Sequence, residues 1–211
     1  MRRYFCLPLL VLSLLVTPLQ GMGRRPQFSV LPLQANGVTF CTTFSIGNDG
    51  DVGRWATAGH CAIAAVAYTL EKGLNVTIAG QPAIVVFIDG FSDLAVFQSE
   101  AQAPALRLAP NGPKARDEIE IIGYPYGLGQ VVTKGYIGAL AVPIIHPSYQ
   151  IYIPSDILDI TTAGGNSGSP VLNKSGEVVG VLWGGFVSSA HSLSIPWGTL
   201  RHTIGLFWTD N

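Results

Sequence analysis

The feature that most constrains the fold of this chain is a succession of short strand-like segments separated by turn residues. The segments are rich in Val, Ile, Thr and aromatic residues, and 25 glycines and 14 prolines punctuate the chain. Many short strands at close spacing are typical of an all-β barrel or sandwich. The segments are residues 38–46, 76–78, 83–88, 94–98, 119–122, 131–137, 151–153, 171–173 and 178–183.

One segment near the C-terminus predicts a helix instead. In residues 196–208 a proline stands near the first turn, and Leu200, Ile204 and Phe207 recur at helical spacing. Residues 102–114 carry three prolines and predict a linker between two halves of the chain. We therefore expect an all-β protein of two halves with one C-terminal α-helix.

The composition limits the kinds of partner that the chain can have. Of its 211 residues, 48% are hydrophobic and 12% are charged, so a sizeable core can form. The net charge is −1, and the basic pairs at residues 2–3 and 24–25 do not extend into a longer basic run. We therefore expect no nucleic-acid partner. The four histidines are dispersed and show no metal-ligand spacing, so neither a metal nor another cofactor is expected.

The N-terminus predicts a secretory signal peptide over residues 1–23. Arg2 and Arg3 precede a short apolar run, as in the charged and hydrophobic regions of such signals. A bilayer span needs about 20 apolar residues, so an uncleaved membrane anchor is the weaker alternative. We expect a secreted or periplasmic protein with one functional domain over residues 24–211, which contacts a membrane only if the signal is uncleaved.

The number and positions of the three cysteines are consistent with an exported protein. Cys6 lies inside the predicted signal, which leaves Cys41 and Cys61 as an even pair. In an exported chain such a pair is most simply one disulfide, and two buried free thiols are the less favoured alternative.

Residues 163–170 (AGGNSGSP) supply a candidate nucleophile, Ser167. The surrounding glycines permit a tight turn that exposes the serine side chain and lets a substrate carbonyl approach. The N–H groups of Gly165 and Ser167 are then the expected donors to a tetrahedral oxyanion. A Gly-Ser turn without catalytic role is also common, so this octapeptide needs partners elsewhere in the chain.

Residues 57–61 (TAGHC) and 91–96 (FSDLAV) supply those partners, His60 and Asp93. A serine hydroxyl is a poor nucleophile unless a base removes its proton, and a carboxylate orients that base. The histidine comes first and the serine last, which excludes the orders of subtilisin and of α/β-hydrolases. The three residues together predict acyl-transfer chemistry.

The remaining histidines and the nearest carboxylate are weaker candidates. His146 precedes a proline in a turn and His202 lies on the predicted helix, so both are expected at the surface. His191 follows the last core strand and could line a substrate cleft. Asp89 is expected to be an exposed loop residue.

These motifs resemble the three signatures of chymotrypsin-like serine proteases. The general mechanism of that family is well established. Within this family, the sequence is similar to two branches, the HtrA-type (Deg) proteases and the glutamyl endopeptidases. The resemblance to the first rests on residues 122–135 and 192–196, and that to the second on residues 161–171 and 180–185.

The resemblance implies a chymotrypsin-like fold of two six-stranded antiparallel Greek-key β-barrels, with the triad in the cleft between them. We expect the first barrel over about residues 36–103, the second over about 114–195 and the helix over about 196–208. HtrA-type enzymes usually append PDZ domains, and this chain is expected to hold the protease domain alone. Asn166 stands where trypsin-type enzymes carry an aspartate, so activation through a new N-terminus is not expected.

The resemblance also implies the substrate pocket. Its lining would be Thr161, Thr162, Leu182, Trp183 and Gly184, with His191 nearby. No carboxylate lies among these residues, which argues against cleavage after Arg or Lys, because an unpaired buried cation is costly. We expect a preference for small or medium apolar residues before the scissile bond. A preference for Glu or Gln, read by His191 with Thr162, is the alternative.

Two hypotheses of function follow. The first is a serine endopeptidase that works on proteins or peptides through an acyl-enzyme. The second is a catalytically latent module of the same fold that binds peptides in its cleft. The sequence makes no prediction of oligomeric state.

Overall fold

The computed structural model describes residues 25–147, 149–186 and 189–209. The predicted signal peptide, residues 1–23, lies outside the described residues. The strands are β1 Val30–Ala35, β2 Val38–Asp49, β3 Val52–Ala58, β4 Val76–Ile78, β5 Gln81–Asp89, β6 Leu94–Ser99, β7 Glu118–Gly123, β8 Val131–Ile145, β9 Tyr152–Asp159, β10 Pro170–Leu172, β11 Val178–Gly185 and β12 His191–Pro196. The helices are α1 Gly59–Lys72 and α2 Trp197–Ile204, with short 3-10 turns at Pro26–Ser29, Pro125–Gly127 and Gly205–Phe207.

The strands form two closed barrels. The first has the order β1-β2-β3-β6-β5-β4 and the second β10-β11-β12-β9-β8-β7, and every pairing of these strands is antiparallel. This confirms the expected all-β, two-barrel fold with a C-terminal helix. The first barrel begins at Val30, earlier than the expected boundary near residue 36, because β1 pairs with both β2 and β4 and closes the barrel.

One hydrophobic cluster joins the two barrels. It contains the first-barrel side chains Phe44, Trp55 and Phe97, and it continues without a break to Trp183 and Ile195 of the second barrel. A smaller cluster fills the rest of the second barrel. The barrels therefore share buried apolar surface, which holds their facing ends in a fixed relation.

Helix α1 was not predicted, and the expectation that residues 196–208 form the one helix is wrong in this respect. Four of the six residues 62–67 are alanine, the strongest helix former, and this is the signal that could have revealed it. The helix ends at Gly73, whose left-handed φ of 61° caps it while its N–H donates to the carbonyl of Thr69. Strands β1, β3 and β12 were also absent from the predicted segments, and His191, which was expected after the last core strand, is the first residue of β12.

Helix α2 is shorter than expected because the helical turns tighten to a 3-10 turn at Gly205. The segment anchors the predicted linker. Trp197 Nε1 donates to the carbonyl of Ala109 at 2.8 Å, and Trp208 Nε1 donates to that of Leu106 at 2.6 Å. Among the described residues, neither helix has the length and hydrophobicity that crossing a membrane requires.

A buried carboxyl group lies on β9. Asp156 is 1% exposed, and its Oδ1 accepts the N–H of Ala141 at 2.9 Å where β8 bulges. Burial raises the pKa of Asp156 to about 6, although the hydrogen bond from Ala141 acts in the opposite direction. The folded protein thus binds this proton more tightly than the unfolded chain, and stability falls as the pH rises from about 4 through 6.

We expect Asp156→Asn to raise the free energy of unfolding at pH 7.5 by up to about 3 kcal/mol, and to change it little at pH 4. The amide keeps an oxygen for Ala141 and carries no charge to bury. Urea denaturation at the two pH values measures the difference. Asp159→Asn, at an exposed position of the same strand, is the control that should show no such pH dependence. Equal stabilities of wild type and Asp156→Asn at pH 7.5 would contradict the expectation.

Candidate active site

His60 and Asp93 meet where helix α1 begins. The first N–H groups of a helix have no partner within it, and here Asp93 provides one from the turn before β6. Its carbonyl accepts the N–H of Gly59 at 2.7 Å, and its Oδ1 accepts the N–H of His60 at 2.6 Å. Its Oδ2 lies 2.8 Å from Nδ1 of the His60 ring. The same carboxylate thus anchors the helix and orients the imidazole.

The turn that carries Asp93 is built by Asp89. The Asp89 carboxylate accepts the N–H of Phe91 at 2.9 Å and the hydroxyl of Ser92 at 2.7 Å. Asp93 itself has a left-handed φ of 52°, which aspartate tolerates better than most residues. Asp89 was expected to be an exposed loop residue. It is instead the half-buried last residue of β5 and fixes the conformation of this turn.

Asp93 stays ionised although its side chain is fully buried. Burial alone would raise the pKa of this carboxyl, but hydrogen bonds from His146 and His60, together with the charge of His60, lower it to about 2. Asp93 therefore presents a negative charge to the His60 ring throughout the neutral range.

His146 was expected at the surface, and that expectation is wrong. The residue is 2% exposed, and its Nε2 lies 3.4 Å from Oδ2 of Asp93. The turn after β8 folds inwards over the first barrel. Tyr149 from the same turn donates its hydroxyl to Oδ1 of Asp93 at 3.1 Å.

The loop that carries Ser167 is held by two other segments. The carbonyl of Gly164 accepts the N–H of Tyr126 at 2.7 Å. The carbonyl of Gly165 accepts the hydroxyl of Thr42 at 2.8 Å, and the N–H of Thr42 donates to the carbonyl of Ser167 at 2.8 Å. These bonds fix the peptide planes on both sides of Gly165, whose φ is 94°.

The N–H groups of Gly165 and Ser167 have no backbone acceptor among the described residues. Because the carbonyls of this loop are turned towards Thr42 and Tyr126, the two N–H groups remain available as donors. The two N–H groups that were expected as oxyanion donors thus lie on an ordered loop without a backbone acceptor among the described residues. The Ser167 hydroxyl itself donates to the carbonyl of Trp183 at 3.4 Å rather than to His60.

The disulfide between Cys41 and Cys61 is formed, as expected. It joins β2 to helix α1, beside Thr42 on the strand and His60 on the helix. The carbonyl of Ser167 lies 3.7 Å from Sγ of Cys61. The bridge thus connects the segment that holds the serine loop to the helix that carries the histidine.

A cavity of about 320 Å³ opens beside Ser167. Five of the six residues expected in the substrate pocket line it: Thr161, Thr162, Leu182, Gly184 and His191. His191 is the exposed first residue of β12, and its Nδ1 lies 3.1 Å from the hydroxyl of Ser189. Thr162 and Ser192 share a hydrogen bond of 2.8 Å in the wall. No acidic residue is among the described lining residues.

Trp183 was expected in this pocket, and that expectation is wrong. Its side chain faces the opposite way, where Nε1 donates to the hydroxyl of Ser155 at 3.1 Å. It lines an adjacent, largely apolar groove of about 340 Å³ together with His60, Ile144 and His146. Residues of β11 therefore line both cavities, and Ser167 lines the first of them.

The sequence missed four residues that shape this site. Thr42 follows Cys41 directly, and Tyr126 lies in the segment that carried the HtrA resemblance, so both had a sequence signal. His146 and Tyr149 had none, because nothing in a short turn before β9 indicates that it reaches the other barrel.

One group of side chains has the spacing of a metal site. Ligand atoms of His60, Asp93 and His146 lie within 4.8 Å of one another. The hydrogen bonds to Asp93 explain this spacing, since both imidazoles direct a nitrogen at the same carboxylate. Cys41 and Cys61 also lie close to His60, but their sulfurs are bonded to each other.

Comparison with solved structures supports the fold. The Rv3671c protease from M. tuberculosis in its active form matches with a TM-score of 0.66 at 20% identity, over 88% of this chain and 83% of that one. The serine endoprotease from Yersinia pestis matches with a TM-score of 0.65 at 22% identity, over 87% of this chain and 64% of that one.

Curated relatives are similar in sequence. A probable periplasmic serine endoprotease, DegP-like, from Brucella suis is 31% identical over 184 residues, or 83% of this chain and 33% of the relative. Protease Do-like 1, chloroplastic, from Arabidopsis thaliana is 30% identical over 159 residues, or 72% of this chain and 36% of the relative. The chain thus spans about a third of the length of these relatives.

The family profile of the trypsin-like peptidase domain matches residues 41–181. This range covers most of the chain and includes His60, Asp93 and Ser167. The chain therefore belongs to the trypsin-like peptidase domain family.

Proposed function

We propose that this protein is a serine endopeptidase in which Ser167 is the nucleophile, His60 the general base and Asp93 the residue that orients the base. The observation that carries the proposal is the His60–Asp93 pair, joined at 2.8 Å beside a serine loop with two unused N–H donors. A base with a fixed tautomer, a nucleophile and an oxyanion site are the three parts that acyl transfer needs.

The reaction begins when the Ser167 hydroxyl turns from the Trp183 carbonyl to the free nitrogen of His60. Nucleophile–base contacts are often long without substrate and tighten in the complex. Ser167 Oγ then attacks the substrate carbonyl while His60 takes its proton. The N–H groups of Gly165 and Ser167 stabilise the oxyanion, and the new imidazolium is stabilised by Asp93.

The tetrahedral intermediate collapses when His60 gives that proton to the departing amine. This leaves the acyl group on Ser167 Oγ. His60 then takes a proton from water, whose oxygen attacks the ester carbonyl. As the bond between the acyl carbon and Ser167 Oγ breaks, His60 gives that proton to Oγ, which releases the carboxylic acid and restores the serine hydroxyl.

A fluorophosphonate probe tests the activated serine without knowledge of the substrate. We expect it to label the purified protein with one probe per chain, and to label Ser167→Ala not at all. Ser169→Ala is the matched control, since this buried serine lies on the same loop and should not affect labelling. Absence of labelling in folded, disulfide-bonded wild type would contradict the proposal.

Alanine substitutions at two neighbouring glycines test the proposed oxyanion site. A Cβ at Gly165 would collide with the carbonyl of Tyr124, and the φ of 94° also disfavours alanine. Gly165→Ala should therefore slow labelling by about 10²- to 10³-fold. A Cβ at Gly164 would meet its nearest neighbour, the Tyr126 ring, at 3.9 Å. Gly164→Ala should label at nearly the wild-type rate, and equal losses in both variants would count against a preformed oxyanion site.

The cavity beside Ser167 supports a preference for small or medium apolar residues before the scissile bond. Leu182 provides apolar surface, and the hydroxyls of Thr162 and Ser192 already bond to each other. A substrate cation would find no carboxylate among the described lining residues. The alternative is a preference for Glu or Gln, with His191 as the donor at the pocket rim.

The apolar and the Glu/Gln preferences can be distinguished with a peptide library in which the residue before the scissile bond is varied. We expect kcat/KM for Ala or Val to exceed that for Lys by about tenfold or more. Preferred cleavage after Glu or Gln, lost in His191→Ala, would favour the alternative.

A latent peptide-binding module is the second candidate function. The observation that favours it is the Ser167 hydroxyl, which bonds to the Trp183 carbonyl instead of the base. In that case the fluorophosphonate would leave Ser167 unlabelled, while peptides would still bind in the cleft.

We also infer that the protein is exported and acts on proteins or peptides. The DegP-like relatives are described as periplasmic serine endoproteases, which supports both inferences. The Cys41–Cys61 disulfide agrees with an oxidising compartment.

A further inference from the structure

The turn between β8 and β9 brings a second imidazole to the buried carboxylate. His60 and Asp93 belong to the first barrel, whereas His146 and Tyr149 come from this turn of the second barrel. Oδ2 of Asp93 lies 2.8 Å from His60 Nδ1 and 3.4 Å from His146 Nε2. Oδ1 accepts the Tyr149 hydroxyl at 3.1 Å. Both carboxylate oxygens are therefore engaged from both barrels.

The turn holds this arrangement with its own hydrogen bonds. The N–H of His146 donates to the carbonyl of Ile151 at 2.8 Å, and the N–H of Gln150 donates to the carbonyl of His146 at 2.9 Å. The Gln150 side chain also donates to the carbonyl of Pro147 at 2.6 Å. His146 is thus the first residue of a closed turn, and its backbone cannot shift without breaking these bonds.

The His146 ring is fixed by two aromatic rings. It stacks on Tyr149 with centroids 4.2 Å apart and an interplanar angle of 16°. On another side it contacts Trp183 at 4.8 Å and 33°. Trp183 is in turn anchored to Ser155. With its backbone and ring both held, His146 keeps Nε2 directed at Asp93.

We propose that His146 is a positioning residue of this site, which acts by holding the Asp93 carboxylate in the orientation that serves His60. The inference rests on the proposed function for its catalytic meaning. His146 does not touch the reacting atoms and acts only through Asp93. Tyr149 supports it from the other carboxylate oxygen.

The effect of losing His146 has a definite sign. Among the described residues, the titratable groups that face the His146 ring are Asp93 and His60 of the first barrel and Tyr149 of its own turn, while β11 presents the uncharged Trp183. A neutral His146 stabilises the negative charge of Asp93 through an N–H hydrogen bond. A cationic His146 also destabilises the protonated form of His60 by charge repulsion. Removing either form leaves Asp93 less well oriented and with one donor fewer, so more of its negative charge is available to stabilise the protonated form of His60. The acid limb of the pH–rate profile should therefore move to higher pH.

Two variants separate the hydrogen bond from the packing. His146→Phe keeps a ring between Tyr149 and Trp183 but removes the donor. His146→Gln keeps an N–H donor at about the reach of Nε2. We expect His146→Phe to slow fluorophosphonate labelling at pH 7 by about tenfold, as for a slight misplacement of a reacting group, and to shift the acid limb to higher pH. His146→Gln should recover most of the rate and of the profile, and Tyr149→Phe should give a smaller loss.

NMR provides a readout that does not depend on activity. The chemical shifts of the carbon-bound protons of the His60 ring, followed against pH, give the midpoint of its titration in wild type and in His146→Phe. An upward shift of the midpoint in His146→Phe, reversed in His146→Gln, supports the inference. An unchanged midpoint and an unchanged pH profile would overturn it, even if less protein folds.

The two proposals fail in different ways. If the fluorophosphonate never labels the wild type, but the midpoint of the His60 titration differs between wild type and His146→Phe, the peptidase function is refuted and the positioning role remains. Wild type that is labelled, with a His146→Phe variant of the same rate and profile, would refute the positioning role alone.

Discussion

The arrangement of this protein depends on one buried negative charge. Removing a carboxylate from water is costly unless hydrogen bonds and opposite charge replace its hydration. Asp93 obtains them from the N–H of His60 at the start of helix α1, from the rings of His60 and His146 and from the hydroxyl of Tyr149. The start of the helix and the inward fold of the β8–β9 turn are both tied to that charge, since withdrawal of either would leave it undersolvated.

The second dependence is the contact between the barrels at Thr42. This residue of the first barrel donates its hydroxyl to the carbonyl of Gly165 and its N–H to the carbonyl of Ser167, both of the second barrel. The nearby Cys41–Cys61 bridge joins the same strand to the helix of His60. The relative position of Ser167 and His60 is therefore a property of the barrel interface, and the shared hydrophobic cluster beneath it resists relative movement of the barrels.

Sequence reasoning could name candidates where the chemistry restricts the residue type. Only a few side chains can serve as nucleophile, base and orienting acid, so His60, Asp93 and Ser167 could be named from their local motifs and order. It failed where long-range packing decides the role. Trp183 is adjacent in sequence to pocket residues, but in β11 its side chain points to the opposite face. Helix α1 was missed because its exposed Ile63, Val66 and Leu70 do not give the usual apolar and polar faces.

The sequence by itself determined the strand-rich character, the two halves, the disulfide and the three residues of the proposed triad, because strand periodicity, cysteine pairing and catalytic chemistry are local or compositional properties. Only the tertiary structure decided which carbonyls hold the serine loop, on which side of β11 the Trp183 side chain lies and which residues other than His60 contact Asp93. Those contacts join residues far apart in the chain, such as Asp93 with Tyr149 and Thr42 with Gly165. They exist because closing each barrel brings its turns to a common interface, and no pattern of neighbouring residues encodes that approach.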